Sequence, residues 1–204
     1  ENLFKSLFLL CSIFSFCSVL LICFFLFANG LPAIHKIGFA DFLLGTKWKP
    51  ANNLYGIFPM IVGSLYVTAG ALIIGLPVGL MTSVFLSKFC PAWLHKILKS
   101  AINLLAGIPS VVYGFFALMI IVPFVRDIFG GNGSSILSAS LLLAMMILPT
   151  IVSVSESSLN AVPQNYYEGA RALGASHERS VFSIVVPAAK SGIMAGVILG
   201  IGRA

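Results

Sequence analysis

From Leu7 to Ala28 the chain runs for 22 residues without a charge. A helix rises about 1.5 Å per residue, so this run spans roughly 33 Å, enough for a hydrocarbon core of about 30 Å. The apolar core of a secretory signal is shorter, and no small-residue cleavage site follows, so the run reads as a retained span. Four more apolar stretches follow, at about residues 57–86, 101–122, 135–154 and 187–204. Only 9% of the residues are charged, against about 25% in a soluble domain. Such a chain cannot cover a surface facing water, so its solvent is the bilayer. Backbone groups in lipid must be satisfied internally, which leaves the helix as the element of choice for these runs. The expected fold is all-α, a polytopic transmembrane helical protein with five visible spans.

The breaks within these runs are informative. Gly75, Pro77 and Gly79 interrupt the second span, Gly107 and Pro109 the third, and Pro149 falls near the end of the fourth. Residues 29–56 carry Asn29-Gly30, Pro32, Gly38, Gly45, Pro50 and Asn52-Asn53, and read as a loop. The chain therefore divides into an N-terminal helix and loop, 1–56, and a core, 57–204, with a polar segment at 155–186.

Several function classes are disfavoured. The net charge is +6, but the twelve basic residues are scattered and no Lys/Arg block marks a nucleic-acid site. Cys11, Cys17, Cys23 and Cys90 form no Cys-x-x-Cys pair, and no His stands at metal-ligand spacing. No phosphate-cradling Gly-x-x-x-x-Gly-Lys-Ser/Thr loop is present. No catalytic residue, metal or cofactor is expected. His35, His95 and His177 stand apart from one another, and the 17 Phe read as lipid-facing or core.

The polar segment has its own grammar. Pro163 suits the first turn of a short helix, where its missing N–H has no partner. Gly174 can take the left-handed conformation that closes that helix. Ser176 can cap a second helix, with Glu178 near its positive end. The expected product is two short helices joined by a bend. Ala170, Leu173, Gly174 and Ala175 would form a small apolar knob, flanked by Glu168, Arg171 and Arg179.

The run from Glu168 to Pro187, EGARALGASHERSVFSIVVP, closely resembles the cytoplasmic EAA loop of ABC-importer permeases. Gly169 stands where that pattern has its first Ala, and Val186 where it has Leu. The resemblance extends to Trp48-Lys49-Pro50, Tyr55-Gly56-Ile57, Gly63-Ser64-Leu65, Leu76-Pro77-Val78-Gly79 and Leu86-Ser87. It continues through Ala106 to Gly114, Leu159 to Pro163 and Gly200 to Ala204. These segments are similar to phosphate permeases of the PstC family, over about residues 40–204. The sister PstA type shares the third span and the ending, whereas the Trp-x-Pro loop favours PstC.

The resemblance implies a type I ABC-importer permease whose loop, through Glu168, Ala170, Arg171, Leu173, Gly174 and Ala175, meets an ATPase. It implies a PstA-like permease, a PstB-like ATPase dimer that hydrolyses the ATP, a PstS-like binding protein and phosphate as partners, in a bacterial or archaeal plasma membrane. The chain starts without Met and stops in an apolar run, so it is expected to belong to a longer protein with a sixth span. The rival reading is a permease for another oxyanion, such as molybdate or sulfate.

Arg203 lies 13 residues beyond Lys190, about 20 Å along a helix, and so deep in the membrane. An arginine there costs at least ~2.5–3.5 kcal/mol unless it meets a polar cavity or partner. A guanidinium suits a phosphate oxyanion, and the resembled family places this arginine on the substrate path. An ion pair with a carboxylate is the alternative. Ser110 could line the same path or satisfy a freed carbonyl. Gly192, Gly196 and Gly200 form a smooth stripe for close helix packing, against this chain or a partner. With a cytoplasmic N-terminus, Lys5, Lys88, Lys96, Lys99, Arg171, Arg179 and Lys190 fall inside, and Lys36, Lys47, Lys49 and Arg126 outside. Seven against four favours that orientation.

Overall fold

The computed structural model describes residues 2–203. By contacts it forms two units, Glu1–Val62 and Gly63–Ala204.

In the first unit, helix α1 runs Asn2–Ile37 and a short helix α2 covers Phe39–Leu44. A two-stranded hairpin follows, with β1 Trp48–Lys49 antiparallel to β2 Leu54–Tyr55 around a 3-10 turn at Pro50–Asn52. Trp48 faces Tyr55 across the pair, their rings edge-on at 6.0 Å. The loop expected over 29–56 is thus largely ordered, and the first span is longer than its uncharged run. Asn29 and Pro32 do not turn the chain. Asn29 Nδ2 donates back to the Phe25 carbonyl at 2.8 Å, and α1 continues through Pro32. Gly45 and Gly56 press backbone to backbone, leaving no room for a Cβ on either.

In the second unit, α3, Phe58–Val84, enters from its first turn and ends in a π-helical turn at Phe85–Phe89. Helix α4 spans Ala92–Gly107. A long helical run follows as α5 Ser110–Phe116, a π-helical turn Ala117–Ile121 and α6 Val122–Phe129. Helix α7 covers Ile136–Asn160, capped by Ser135. Helices α8, Gln164–Ala172, and α9, His177–Ser180, occupy the polar segment. A π-helical turn at Val181–Val185 and the short α10, Val186–Ala188, lead to α11, Lys190–Arg203.

Among the described residues four helices are long and apolar enough to cross a membrane: 4–37, 58–89, 110–129 and 136–160. His177–Ala188 and Lys190–Arg203, bent by 68° at their junction, make a fifth if the bent pair is taken as one broken span. The third span is displaced from its expected place at 101–122. Pro109 has no N–H to continue a helix and forces Ile108 into extended backbone, φ −70° and ψ 126°. Residues 101–107 therefore complete α4, and the span begins at Ser110.

Helix α7 is the axis of the second unit. Ile147 and Ile151 on it are fully buried. Gly75 and Gly79 of α3 lie against them, and a Cβ at Gly79 would come within 2.9 Å of Ile151. From the other side Gly200 of α11 meets the same Ile151, also at 2.9 Å for a built Cβ. Gly196 meets Val154 and Ser155, and Gly192 presses on Ser158. The glycine stripe on α11 therefore packs within this chain, and a second glycine seam on α3 mirrors it. Small residues let backbones approach where water provides no hydrophobic drive between helices. A further cluster, Val84, Leu159, Val181, Val185, Ala189 and Ile193, seals the end of α7 beside the polar segment. Large apolar side chains along α1, such as Phe14 and Phe24, stay exposed, a surface suited to lipid or another subunit.

Candidate functional site

The polar segment folds as two short helices and a bend. Pro163 takes the N-cap of α8 with extended backbone, one position before the expected first turn. At the other end, Gly174 adopts φ +86°. Its N–H donates to the Arg171 carbonyl at 3.0 Å, and the Ala175 N–H donates to the Ala170 carbonyl at 3.1 Å. These paired bonds form a Schellman cap, which requires a left-handed residue at Gly174. Arg171 reinforces it by donating to the Ala175 carbonyl at 3.0 Å. Ser176 Oγ then accepts from the Arg179 N–H at 3.3 Å and starts α9, with Glu178 in its first turn.

The cap leaves Leu173 at the tip, 91% exposed, with Glu168, Arg171 and Gly174 exposed around it and Ala170 and Ala175 half-buried. A leucine so placed contacts nothing in its own chain to any useful extent. The segment is firmly attached at its base. His177 Nε2 lies 3.1 Å from the Lys88 carbonyl and its Nδ1 2.8 Å from the Tyr167 hydroxyl. Phe89 packs edge-on against the imidazole, ring centres 4.7 Å apart.

A second group forms where α4 ends. Arg203 donates to Thr150 Oγ1 at 3.2 Å and to the Ala106 carbonyl at 3.4 Å. Both partners are neutral. The Leu105 carbonyl, which loses its i+4 donor because Pro109 has no N–H, accepts from the Ile108 N–H at 3.3 Å and from the Tyr113 hydroxyl at 2.9 Å. Ser110 opens α5 four residues beyond Ala106 and is exposed. The fold thus brings Arg203, Thr150 and the break that carries Ser110 together from α11, α7 and the α4–α5 junction.

One polar cluster was not anticipated from the sequence. Glu156, only 4% exposed, is contacted by Lys99 Nζ at 2.6 Å and by His95 Nε2 at 2.8 Å. It joins the amphipathic α4 to the end of α7. The local signal was an acid at the end of an apolar run, with His95 and Lys99 spaced i, i+4 on one helix face.

Residues 75–204 match the family model described as binding-protein-dependent transport system inner membrane component. The chain belongs to that family. It is a multi-pass membrane component of the permease kind. It is 36% identical over 199 residues to a probable ABC transporter permease protein, YqgH, of Bacillus subtilis, covering 95% of this chain and 64% of that protein. It is 33% identical over 224 residues to the phosphate transport system permease protein PstC of Haemophilus influenzae, covering all of this chain and 71% of that one. The chain therefore spans a little under two thirds of the first relative's length. Among solved structures, it is similar in fold to a chain of the inward-facing MetNI methionine ABC transporter. There the TM-score is 0.50 at 22% identity, over 72% of this chain and 69% of that chain.

Proposed function

We propose that this chain is the permease subunit of an ATP-driven phosphate importer. Residues 57–204 form its core, and the 155–186 segment lies on the cytoplasmic face. The observation that carries the reading is Leu173, exposed at the tip of a bend whose cap fixes the shape of the knob. A rigid apolar tip with charges beside it suits a groove on another protein, here an ATPase dimer of the PstB kind. Glu168, Ala170, Arg171, Gly174 and Ala175 complete that surface. A PstA-like permease would share the path, and a PstS-like binding protein would deliver the anion. The chain itself hydrolyses nothing in this reading.

Phosphate is favoured by the relatives named PstC and by Arg203. The guanidinium sits beside Ser110's helix break with only neutral partners, so its charge is available to an oxyanion. Other oxyanions, such as molybdate and sulfate, share that chemistry and are the second reading. Uptake of labelled phosphate by the assembled transporter, with molybdate and sulfate as competitors, decides between them. Phosphate uptake should persist in excess sulfate, and should fall in the order wild type, Arg203→Lys, Arg203→Gln. Full uptake by an assembled Arg203→Gln complex would remove Arg203 from the path, and competition by molybdate or sulfate at equal concentration would overturn the choice of phosphate.

A further inference from the structure

Three elements meet at one imidazole. His177 is the first residue of α9, Tyr167 belongs to α8, and Lys88 and Phe89 lie in the π-helical turn that ends α3. The protonation pattern follows from the partners. A carbonyl only accepts, so Nε2 must carry the hydrogen that points at Lys88 O. In the neutral ring Nδ1 then carries a lone pair, to which the Tyr167 hydroxyl donates. One neutral tautomer satisfies both contacts. The Lys88 carbonyl belongs to the last helical turn of α3, where no helical N–H remains to meet it, because the chain leaves in extended backbone at Cys90. His177 therefore closes the end of a membrane span from 89 residues away.

This contact has two features that simple capping does not need. The residues it joins flank the exposed tip: Tyr167 lies before Leu173 and His177 after it, so both legs of the bend reach α3 through the same ring. Beside the ring lies a cavity of about 280 Å³ lined by Ser87, Lys88, Asn160, Tyr167 and His177, so this side of the contact is not packed solid. Apolar packing joins the same elements, since Phe89 and Tyr167 both lie against the cluster around Val84, Leu159 and Val185, and the ring adds hydrogen bonds between them.

We propose that His177 is the joint through which movement of the Leu173 bend is transmitted to α3, acting as a positioning residue for transport. The proposal rests on the reading of the bend as the ATPase-docking element. Without the ring, the ATPase still docks and turns over, but its stroke no longer reaches the span. The signature is uncoupling: ATP consumed per anion imported rises, while docking is preserved.

The test uses the whole transporter, reconstituted in liposomes with its partner permease, ATPase and binding protein, and inorganic phosphate as substrate. His177→Ala should keep the ATPase through purification and hydrolyse ATP, with the ATP-to-phosphate ratio raised about tenfold, within the usual range of coupling between sites. His177→Gln places an amide N–H near the position of Nε2 and should restore most of the coupling. Tyr167→Phe removes only the hydroxyl and should fall between. A wild-type ratio in His177→Ala overturns the proposal, as does a loss of hydrolysis and uptake together that Gln does not rescue. If His177→Ala fails to assemble, Tyr167→Phe decides: a raised ratio supports the joint and a wild-type ratio overturns it. Leu173→Asp separates the two layers of the argument. It should abolish ATPase retention. Retention with full transport would sink the docking reading, whereas lost retention beside a wild-type ratio in His177→Ala would remove the joint alone.

Discussion

Gly174 shows how a single residue can shape an interaction surface. Its φ of +86° is available to glycine, tolerable for asparagine and poor for a β-branched side chain. Nothing lies within 4 Å of a Cβ built there, so crowding inside the chain adds no penalty. The cost of substitution is then conformational, about 1–2 kcal/mol for an ordinary L-residue in the left-handed region. Retention of the ATPase and phosphate uptake should decline in the order Gly174, Gly174→Asn, Gly174→Ala, Gly174→Val. If asparagine proves as damaging as valine, the position is needed for the close approach of a partner rather than for its backbone angle. This turn was legible in the sequence because Gly174 and Ser176 are local signals, each with its own mechanism of ending or starting a helix. His177 was not legible. Its partners lie 10 and 89 residues away, and nothing in the neighbouring residues names them.

At the scale of elements, α4 illustrates both a misreading and its cause. The apolar residues from Ala101 onward continue smoothly into the next span, so hydropathy alone merges the two. The boundary is set by Pro109 through the backbone of Ile108. The amphipathic spacing of Leu94, Leu98, Ile102 and Leu105 is the signal that separates α4 from a span. None of α4's residues is buried, so its attachment to α7 relies heavily on Glu156 with Lys99 and His95. Glu156→Gln removes the charge and leaves Lys99 without its counter-ion. Lys99 is 29% exposed and can bend its ammonium toward water, so the cost should be about 1–3 kcal/mol rather than that of a fully buried pair. The thermal midpoint of the purified complex in detergent should fall accordingly. Combining Glu156→Met with Lys99→Met should recover much of the loss, because no charge is then left alone. A double variant no more stable than the single one would show that Lys99 is not the partner that matters.

For the whole molecule, the sequence made the all-helical membrane architecture and the order of its apolar helices legible, because uncharged runs of membrane length have few other uses. The hairpin was hidden, since two-residue strands carry almost no periodicity. Which face of the membrane receives the bend is argued from charge. With helix limits taken from the structure and an N-terminus on the same side, Lys5, Lys88, Lys96, Lys99, Arg171 and Arg179 fall near or between helix ends on one side, while Lys190 lies at the bend of the last helix pair. Lys36, Lys47, Lys49 and Arg126 fall on the other. That asymmetry is the argument for the proposal that the Leu173 bend faces the cytoplasm. Cysteine labelling in intact cells checks it, once the native cysteines Cys11, Cys17, Cys23 and Cys90 are replaced so that any label reports the introduced thiol. Ser134 is the better outer reporter than Gly131, whose φ of +75° would strain a cysteine. Asn165 on α8 is the better inner reporter than Ser176, whose hydroxyl caps α9. Both chosen residues are exposed. Cysteine at Ser134 should react with a thiol reagent that cannot cross the membrane, and cysteine at Asn165 only after the cells are opened. The opposite pattern would put the bend outside, beyond the reach of any cytoplasmic ATPase, and the docking argument would fall with it.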